Sequence, residues 1–300
     1  MSGEQSSDKV DEEGVERLLL LGFDGEDGGI GRTDAIMIVV LNRASGEVGV
    51  ISIPRDLWVD IPGMEPGRIN TVVRAGERSQ GPGQGLPLLR RVLVEQLGLP
   101  VDGAIAVSFQ GFTEIIDGLG GIDVEVRCPI EDNFISSEAE GGYESLSLEA
   151  GQQHVDGRTA LLYSRSRHGR SDTDRSYRQQ SVLVGVKKRV LRVGALPRLP
   201  ALWRTLSQNA KTDLDLSRAL SLAGATASAD LHSIHGLVIA PPIVTESRSP
   251  DGKWILDLDR AKLDEAVSHL FEAPMPGSRG HSPCPPADVA LHWKPASQDP

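Results

Sequence analysis

Apolar residues gather along this chain in short, dense runs. Residues 18–21 and 36–41 are unbroken, and with their neighbours they predict strands over 17–23 and 35–41 that are buried on both faces. Residues 47–53 alternate, with Val48, Val50 and Ser52 on one side and Gly49, Ile51 and Ile53 on the other. The stretch 42–46 before them is a natural hairpin turn. Two further strands are predicted over 104–109 and 122–126. A short helix, 112–119, fits between them and stops at Gly120-Gly121. Residues 86–97 read as a helix ending at Gly98 and Pro100. Helices are also expected over 157–167, 174–192, 199–208, 216–227 and 260–271, and late strands over 233–239 and 253–258. Strands and helices alternate without strict βαβ order. That predicts an α/β fold, one mixed sheet with helices on both faces. Residues 1–16 and the Pro-rich 273–300 read as disordered tails around a folded domain, 17–272.

Composition narrows the function classes. The length of 300 residues and 39% apolar content allow one sizeable core or at most two small domains. A net charge of −11 excludes bulk nucleic-acid binding, which needs a basic surface. No apolar run reaches membrane-spanning length, and residues 1–17 are acidic and polar, unlike a signal peptide. The chain is therefore expected to be cytoplasmic or to have lost an export segment. Cys128 and Cys284 stand far apart and complete no zinc pattern. They read as two unrelated thiols, with a single disulfide as the alternative.

The charge is unevenly spread. Residues 158–192 hold ten Lys or Arg against two acids, +8 in a chain of −11, so the remainder carries −19. Such crowding costs self-repulsion unless an anion is bound. Lys187, Lys188, Arg189 and Arg192 suit a solvated basic face near a helix C-terminus. Arg175, Arg178 and Gln179 share one face at a helix start, continuing as the apolar stripe Val182, Leu183, Val186 and Val190. Guanidiniums heading a buried stripe, beside free helix N–H groups, suit a phosphate site; the alternative is a further stretch of solvated basic face. Arg165 and Arg167 share a side only if their segment is extended.

Asp24 follows the first predicted strand and Asp34 precedes the second, with a four-glycine loop, 25–32, between them. If the strands are neighbours, paired carboxylates suit Mg²⁺; otherwise they are capping aspartates of a polar loop. The loop is no nucleotide-binding fingerprint, since no G-x-G-x-x-G is present and a strand follows. In Ser52-Ile53-Pro54-Arg55-Asp56, proline ends the ladder and leaves Arg55 just past a strand end, where open α/β sheets bind ligands. Asp56 either orients Arg55 or caps a turn. No G-x-S-x-G elbow occurs. His232 and His235 lack a third ligand. His154 and His168 flank the basic segment. The chemistry implied is metal and arginine electrostatics on phosphate, without a covalent protein intermediate.

These features together resemble the LytR-CpsA-Psr family. The motifs are Leu-Leu-Leu-Gly-Phe-Asp (19–24), Gly-Arg-Thr-Asp-Ala-Ile-Met (31–37), Ser-Ile-Pro-Arg-Asp-Leu-Trp-Val (52–59) and Arg-Ile-Asn (68–70). Further along come Phe-Gln-Gly-Phe (109–112), Leu-Gly-Gly-Ile-Asp-Val (119–124) and Gly-Gln-Gln-His-Val-Asp-Gly (151–157). Ala-Leu-Leu-Tyr-Ser-Arg-Ser-Arg (160–167) and Asp-Arg-Ser-Tyr-Arg-Gln-Gln (174–180) complete the order. The resemblance implies a three-layer α/β/α fold and an extracytoplasmic, membrane-tethered phosphotransferase of bacterial cell-wall assembly. Its substrates would be a glycopolymer on a polyprenyl-pyrophosphate carrier and peptidoglycan. It implies Mg²⁺ on Asp24 and Asp34, and phosphates held by Arg55, Arg165, Arg167, Arg175, Arg178 and Gln179. Asp34 and Arg55 are then the candidate catalytic residues, Asp34 taking the attacking hydroxyl's proton. Val107, Phe109, Phe112, Ile116 and Leu183 are either ordinary core or the wall of a tunnel for the membrane lipid. A polyprenyl-pyrophosphate phosphatase and a non-catalytic lipid-phosphate binding protein are the rival readings. The family's usual membrane helix is missing from the start of this sequence.

Overall fold

A computed structural model describes residues 14–25, 30–135, 142–166, 172–192, 210–228 and 234–272. The two apolar runs form β1 (Val15–Phe23) and β2 (Thr33–Asn42), paired antiparallel, and the turn after Asn42 leads into the antiparallel β3 (Val48–Ser52). A small ladder of β4 (Trp58–Val59) and β5 (Gly67–Arg68) precedes α1 (Val72–Ser79) and α2 (Gly85–Val92). The chain returns as β6 (Gly103–Ser108), parallel to β1. Next come α3 (Phe109–Gly118), β7 (Ile122–Val126), the hairpin β8 (Ile130–Ile135) and β9 (Tyr143–Leu148), and β10 (Gly151–Val155), which pairs with β7. Two helices follow, α4 (Gly157–Arg165) and α5 (Asp172–Arg192). β11 (Ala210–Thr212) joins β6 antiparallel, α6 (Leu216–Ser228) crosses, and β12 (Ile234–Val238) joins β3 parallel. The hairpin β13 (Val244–Arg248) and β14 (Trp254–Leu258) and the helix α7 (Arg260–Ser268) end the described fold.

The central sheet has the order β11-β6-β1-β2-β3-β12 and mixes parallel with antiparallel pairs. Strand side chains alternate between its two faces. Leu19, Leu21, Ile36, Ile38, Ile51 and Ala104 pack with Val73 of α1, Leu89 of α2 and Leu263 of α7. Leu18, Leu20, Met37, Val39, Val50 and Ile105 face Leu183 and Val184 of α5 and Leu222 of α6. This is the expected three-layer α/β/α arrangement. A satellite core of α3, α4 and β7 to β10 packs on the outer side of α5 through Val182 and Val186. Gly185 lets α5 approach β7 closely: a Cβ there would lie 2.7 Å from the Asp123 carbonyl oxygen. α5 is therefore clamped between two apolar bodies.

Several boundaries differ from expectation for local reasons. β1 begins at Val15, inside the stretch read as a tail. β3 is buried along its whole length, so its alternation separates two packed faces rather than core from solvent. Phe109 opens α3 instead of closing β6, because the Ser108 side chain caps the helix by accepting from Gly111 N at 3.1 Å. α2 continues as a π-helical turn over Leu93–Leu97 and stops at Gly98, whose φ of 64° favours glycine. The helix expected over 199–208 and the tail 273–300 lie outside the described residues.

Candidate active site

β1, β3 and β6 all finish at the same end of the sheet, where β2 begins. Asp24 and Arg55 follow the ends of β1 and β3, and Asp34 is the second residue of β2. The β1–β2 connection is drawn tight: Asp24 N donates to Arg32 O at 3.1 Å, and Arg32 N donates to Asp24 Oδ1 at 2.5 Å. Gly31 is required for this, since a Cβ there would fall 1.5 Å from the Asp24 carbonyl oxygen. After β3, Pro54 turns the chain and Arg55 Nη1 donates to Asp34 Oδ1 at 2.5 Å. Asp56 Oδ2 lies 3.7 Å from Arg55 Nε, which places Asp56 beside Arg55 as one of the two sequence readings had it.

Arg165 ends α4. The backbone leaves the helix at Ser166 (φ −56°, ψ 136°), two residues short of the expected end at 167. The Arg165 guanidinium stands 4.6 Å from the centre of the Phe109 ring and 5.5 Å from that of Phe134. Burial pulls its pKa below the ordinary value, and the negative charges of Asp34 and Asp24 oppose that shift. Both carboxylates therefore lie within electrostatic range of one guanidinium. Arg175 and Arg178, in the early turns of α5, are only 5% and 8% exposed. Arg178 Nη2 donates to the carbonyl of the buried Ser166, so at least one of its donors ties α5 to the end of α4. Gln179 Nε2 donates to Ser164 O at 3.4 Å, and Gln180 Nε2 to Ser52 Oγ at 2.9 Å. Arg167 and His168 lie outside the described residues.

Between the sheet, α3 and α5 lies a cavity of about 310 Å³. Val107, Phe109, Phe112, Ile116 and Leu183, the five residues read as either core or tunnel wall, all line it. Leu20, Met37, Val182 and Val186 extend the apolar lining, while Asp34, Ser108, Ser164, Arg165 and Gln179 give it a polar end. Close-packed interiors leave few voids larger than a water molecule. A space of this size is in the range of ligand pockets.

The expectation of a divalent cation rests on Asp24 and Asp34, which both lie within electrostatic range of Arg165 and accept from Arg32 N and Arg55 Nη1 respectively. Two carboxylates leave the rest of a coordination shell to water and substrate phosphate, the usual arrangement for Mg²⁺. Among the described residues no group of three or more His, Cys, Asp or Glu side chains is gathered to hold a metal unaided.

Other sequence readings resolve differently. Arg189 and Arg192 do more than present a solvated face. Arg189 donates to the carbonyls of Leu119 (2.8 Å) and Gly120 (3.1 Å), closing the C-terminal end of α3, and Arg192 pairs with Asp123 at 2.8 Å. His154 binds the same Asp123 through Nδ1 at 2.7 Å, so it shares that carboxylate with Arg192 in the last turn of α5. Cys128 is disulfide-bonded, which corrects the reading of two unrelated thiols; its partner lies outside the described residues. Ser166 and Gln180 fall inside quoted motifs and Phe134 outside them, but the sequence assigns none of the three a role, because each acts on residues distant in the chain.

The domain is thus a mixed α/β/α fold with an apolar cavity whose polar end includes Asp34 and Arg165. The sequence matches the LytR_cpsA_psr family over residues 2–272, and the chain belongs to that family. It is 28% identical over 258 residues to the polyisoprenyl-teichoic acid–peptidoglycan teichoic acid transferase TagT of Bacillus subtilis, covering 84% of this chain and 75% of that protein. It is 31% identical over 208 residues to the transferase of the same description, TagU, of Oceanobacillus iheyensis, covering 68% of this chain and 61% of the relative. A solved structure of TagT bound to LI-WTA superposes with a TM-score of 0.67 at 26% identity, covering 90% of this chain and 96% of that one.

Proposed function

We propose that this chain transfers a glycopolymer from a polyprenyl-pyrophosphate carrier to peptidoglycan. The cavity carries the proposal: an apolar space of about 310 Å³ ends at Asp34, Arg165 and Gln179, matching a lipid tail joined to a phosphate head. The TagT and TagU names supply the chemical class. The tail lies against Val107, Phe109, Phe112, Ile116 and Leu183. Arg55, Arg165, Arg175, Arg178 and Gln179 hold the pyrophosphate, with Arg167 from the segment that follows α4. Arginine is suited to this work because its planar fork binds phosphate oxygens in pairs and stays charged when partly buried.

A peptidoglycan sugar hydroxyl attacks the phosphorus on the glycosyl side. A new P–O bond forms, the P–O bond to the bridging oxygen breaks, and polyprenyl phosphate leaves with its charge already compensated by arginine. Asp34 accepts the hydroxyl proton. Mg²⁺ held by Asp24 and Asp34 would supply charge neutralisation at the phosphate oxygens. The chain works on the extracytoplasmic side of the membrane in this reading. The Cys128 disulfide supports that, since such bonds persist in oxidising compartments. Among the described residues no helix is long and apolar enough to cross a membrane.

The test incubates the purified chain with a prenyl-pyrophosphate-linked oligosaccharide and peptidoglycan fragments, with Mg²⁺ supplied. Prenyl monophosphate should appear together with a phosphodiester-linked product. Turnover to water alone identifies a phosphatase, and binding without turnover a carrier; either result overturns the transferase reading.

A further inference from the structure

The segment Arg68-Ile69-Asn70 has no part in the chemistry above, yet it holds the turn that carries Arg55. Asn70 N donates to Arg55 O at 3.3 Å and Ile69 N to Leu57 O at 2.8 Å. From β14, Leu256 N donates to Asp56 O at 3.1 Å. Three consecutive carbonyls are thus held by two separate stretches of chain, which fixes the backbone beneath Arg55.

The side chains form a second layer. Arg68 Nη1 lies 3.1 Å from Asp56 Oδ1, and Arg68 Nη2 donates to Trp254 O at 2.6 Å. Asp56 Oδ2 faces Arg55 Nε at 3.7 Å, and Arg55 Nη1 binds Asp34 Oδ1 at 2.5 Å. Charge therefore alternates along Arg68, Asp56, Arg55 and Asp34. All four are partly sheltered, with side chains 22% to 30% exposed, so these charges are less screened than on an open surface.

We infer that Arg68 is a positioning residue for Arg55, acting through Asp56. Arg55 sits between two carboxylates, and a carboxylate left uncompensated competes with phosphate for the guanidinium. Arg68 neutralises Asp56 and, by bridging to the Trp254 carbonyl, fixes the direction of its carboxylate. Asp56 then steers Arg55 without capturing it. Removing Arg68 strengthens the hold of Asp56 on Arg55 and draws the guanidinium away from the phosphate. The backbone hydrogen bonds are independent of the Arg68 side chain, so the turn itself should survive. The inference rests on the transferase reading for the role of Arg55.

A double-mutant cycle tests it, with geranylgeranyl pyrophosphate as the probe, binding as the readout and melting temperature as the folding control. Arg68→Met should weaken binding about tenfold in the otherwise native chain, the scale of one charge-assisted hydrogen bond. In an Arg55→Ala background the same substitution should leave affinity unchanged, because the residue it acts through is gone. Arg68→Lys should recover part of the loss, since an ammonium still neutralises Asp56 but cannot also bridge to Trp254. If Arg68→Met does not fold, Arg68→Lys and Asp56→Asn complete the same cycle. An equal loss in both backgrounds, or none in either, overturns the inference while leaving the role of Arg55 intact. Unchanged affinity in Arg55→Ala alone overturns both.

Discussion

Asp34 and Arg55 meet at 2.5 Å where the start of β2 passes the end of β3. In the proposed function each would be the partner that a substrate partly replaces: the carboxylate for a cation or a proton, the guanidinium for a phosphate. A preformed pair of this kind spares either group an uncompensated charge before substrate arrives.

Replacing either aspartate separates its chemical role from any role in folding. Asp24→Ala and Asp34→Ala should both fold and both lose Mg²⁺-dependent turnover of a purified prenyl-pyrophosphate substrate. Asp34→Ala should also change phosphate affinity, since it releases Arg55. Full activity in both variants would remove the metal assignment.

The cavity makes a claim about lipid length and another about filling. Affinity for prenyl phosphates should climb with chain length by about 0.8 kcal/mol for each buried CH₂, then level off when the enclosed space is full. Leu183→Trp, directed at that space, should lower the affinity for long prenyl phosphates while the melting temperature changes by only a few degrees. Short and long lipids binding alike, or a filled cavity binding as before, would show that the void has no lipid role.

The buried arginines should separate from one another. Arg175→Lys and Arg178→Lys should each lose roughly 1.5–3 kcal/mol of phosphate affinity, because an ammonium cannot reproduce the bidentate fork. Arg178→Ala should also destabilise the fold by about 1–3 kcal/mol, since the buried Ser166 carbonyl loses its donor. Calorimetry beside a prenyl-phosphate binding assay reads both quantities. Affinity unchanged in both lysine variants would mark the cluster as structural.

What could be read in advance follows from how far apart the interacting residues lie. β1 and β2 announce themselves because strands buried on both faces are apolar throughout. The strands β8, β9 and β10 carry no dense apolar run, because much of each faces solvent and each spans only five or six residues. The cluster Arg175, Arg178 and Gln179 was visible because helical spacing is local. The use of Arg178 on Ser166, and of Arg68 on Asp56 and Trp254, depends on tertiary contacts that no local period encodes. The five cavity residues were recognised as apolar, but whether they close on one another or leave a space depends on how α3 and α5 stand off the sheet.

One unbroken helix, α5, supplies both polar and apolar lining to the cavity, from Gln179 to Val186. At 1.5 Å per residue that stretch measures about 10 Å. If the cavity takes the carrier lipid, this stretch would serve as a ruler laid from the head group outward. On the transferase reading a long polyprenyl tail would far exceed such a gauge, so the protein would grip the portion nearest the phosphate and leave the remainder in the bilayer. In the proposed function the carrier would then surrender its polymer without being extracted from the membrane, and the spent lipid would already be in the phase from which it is recycled.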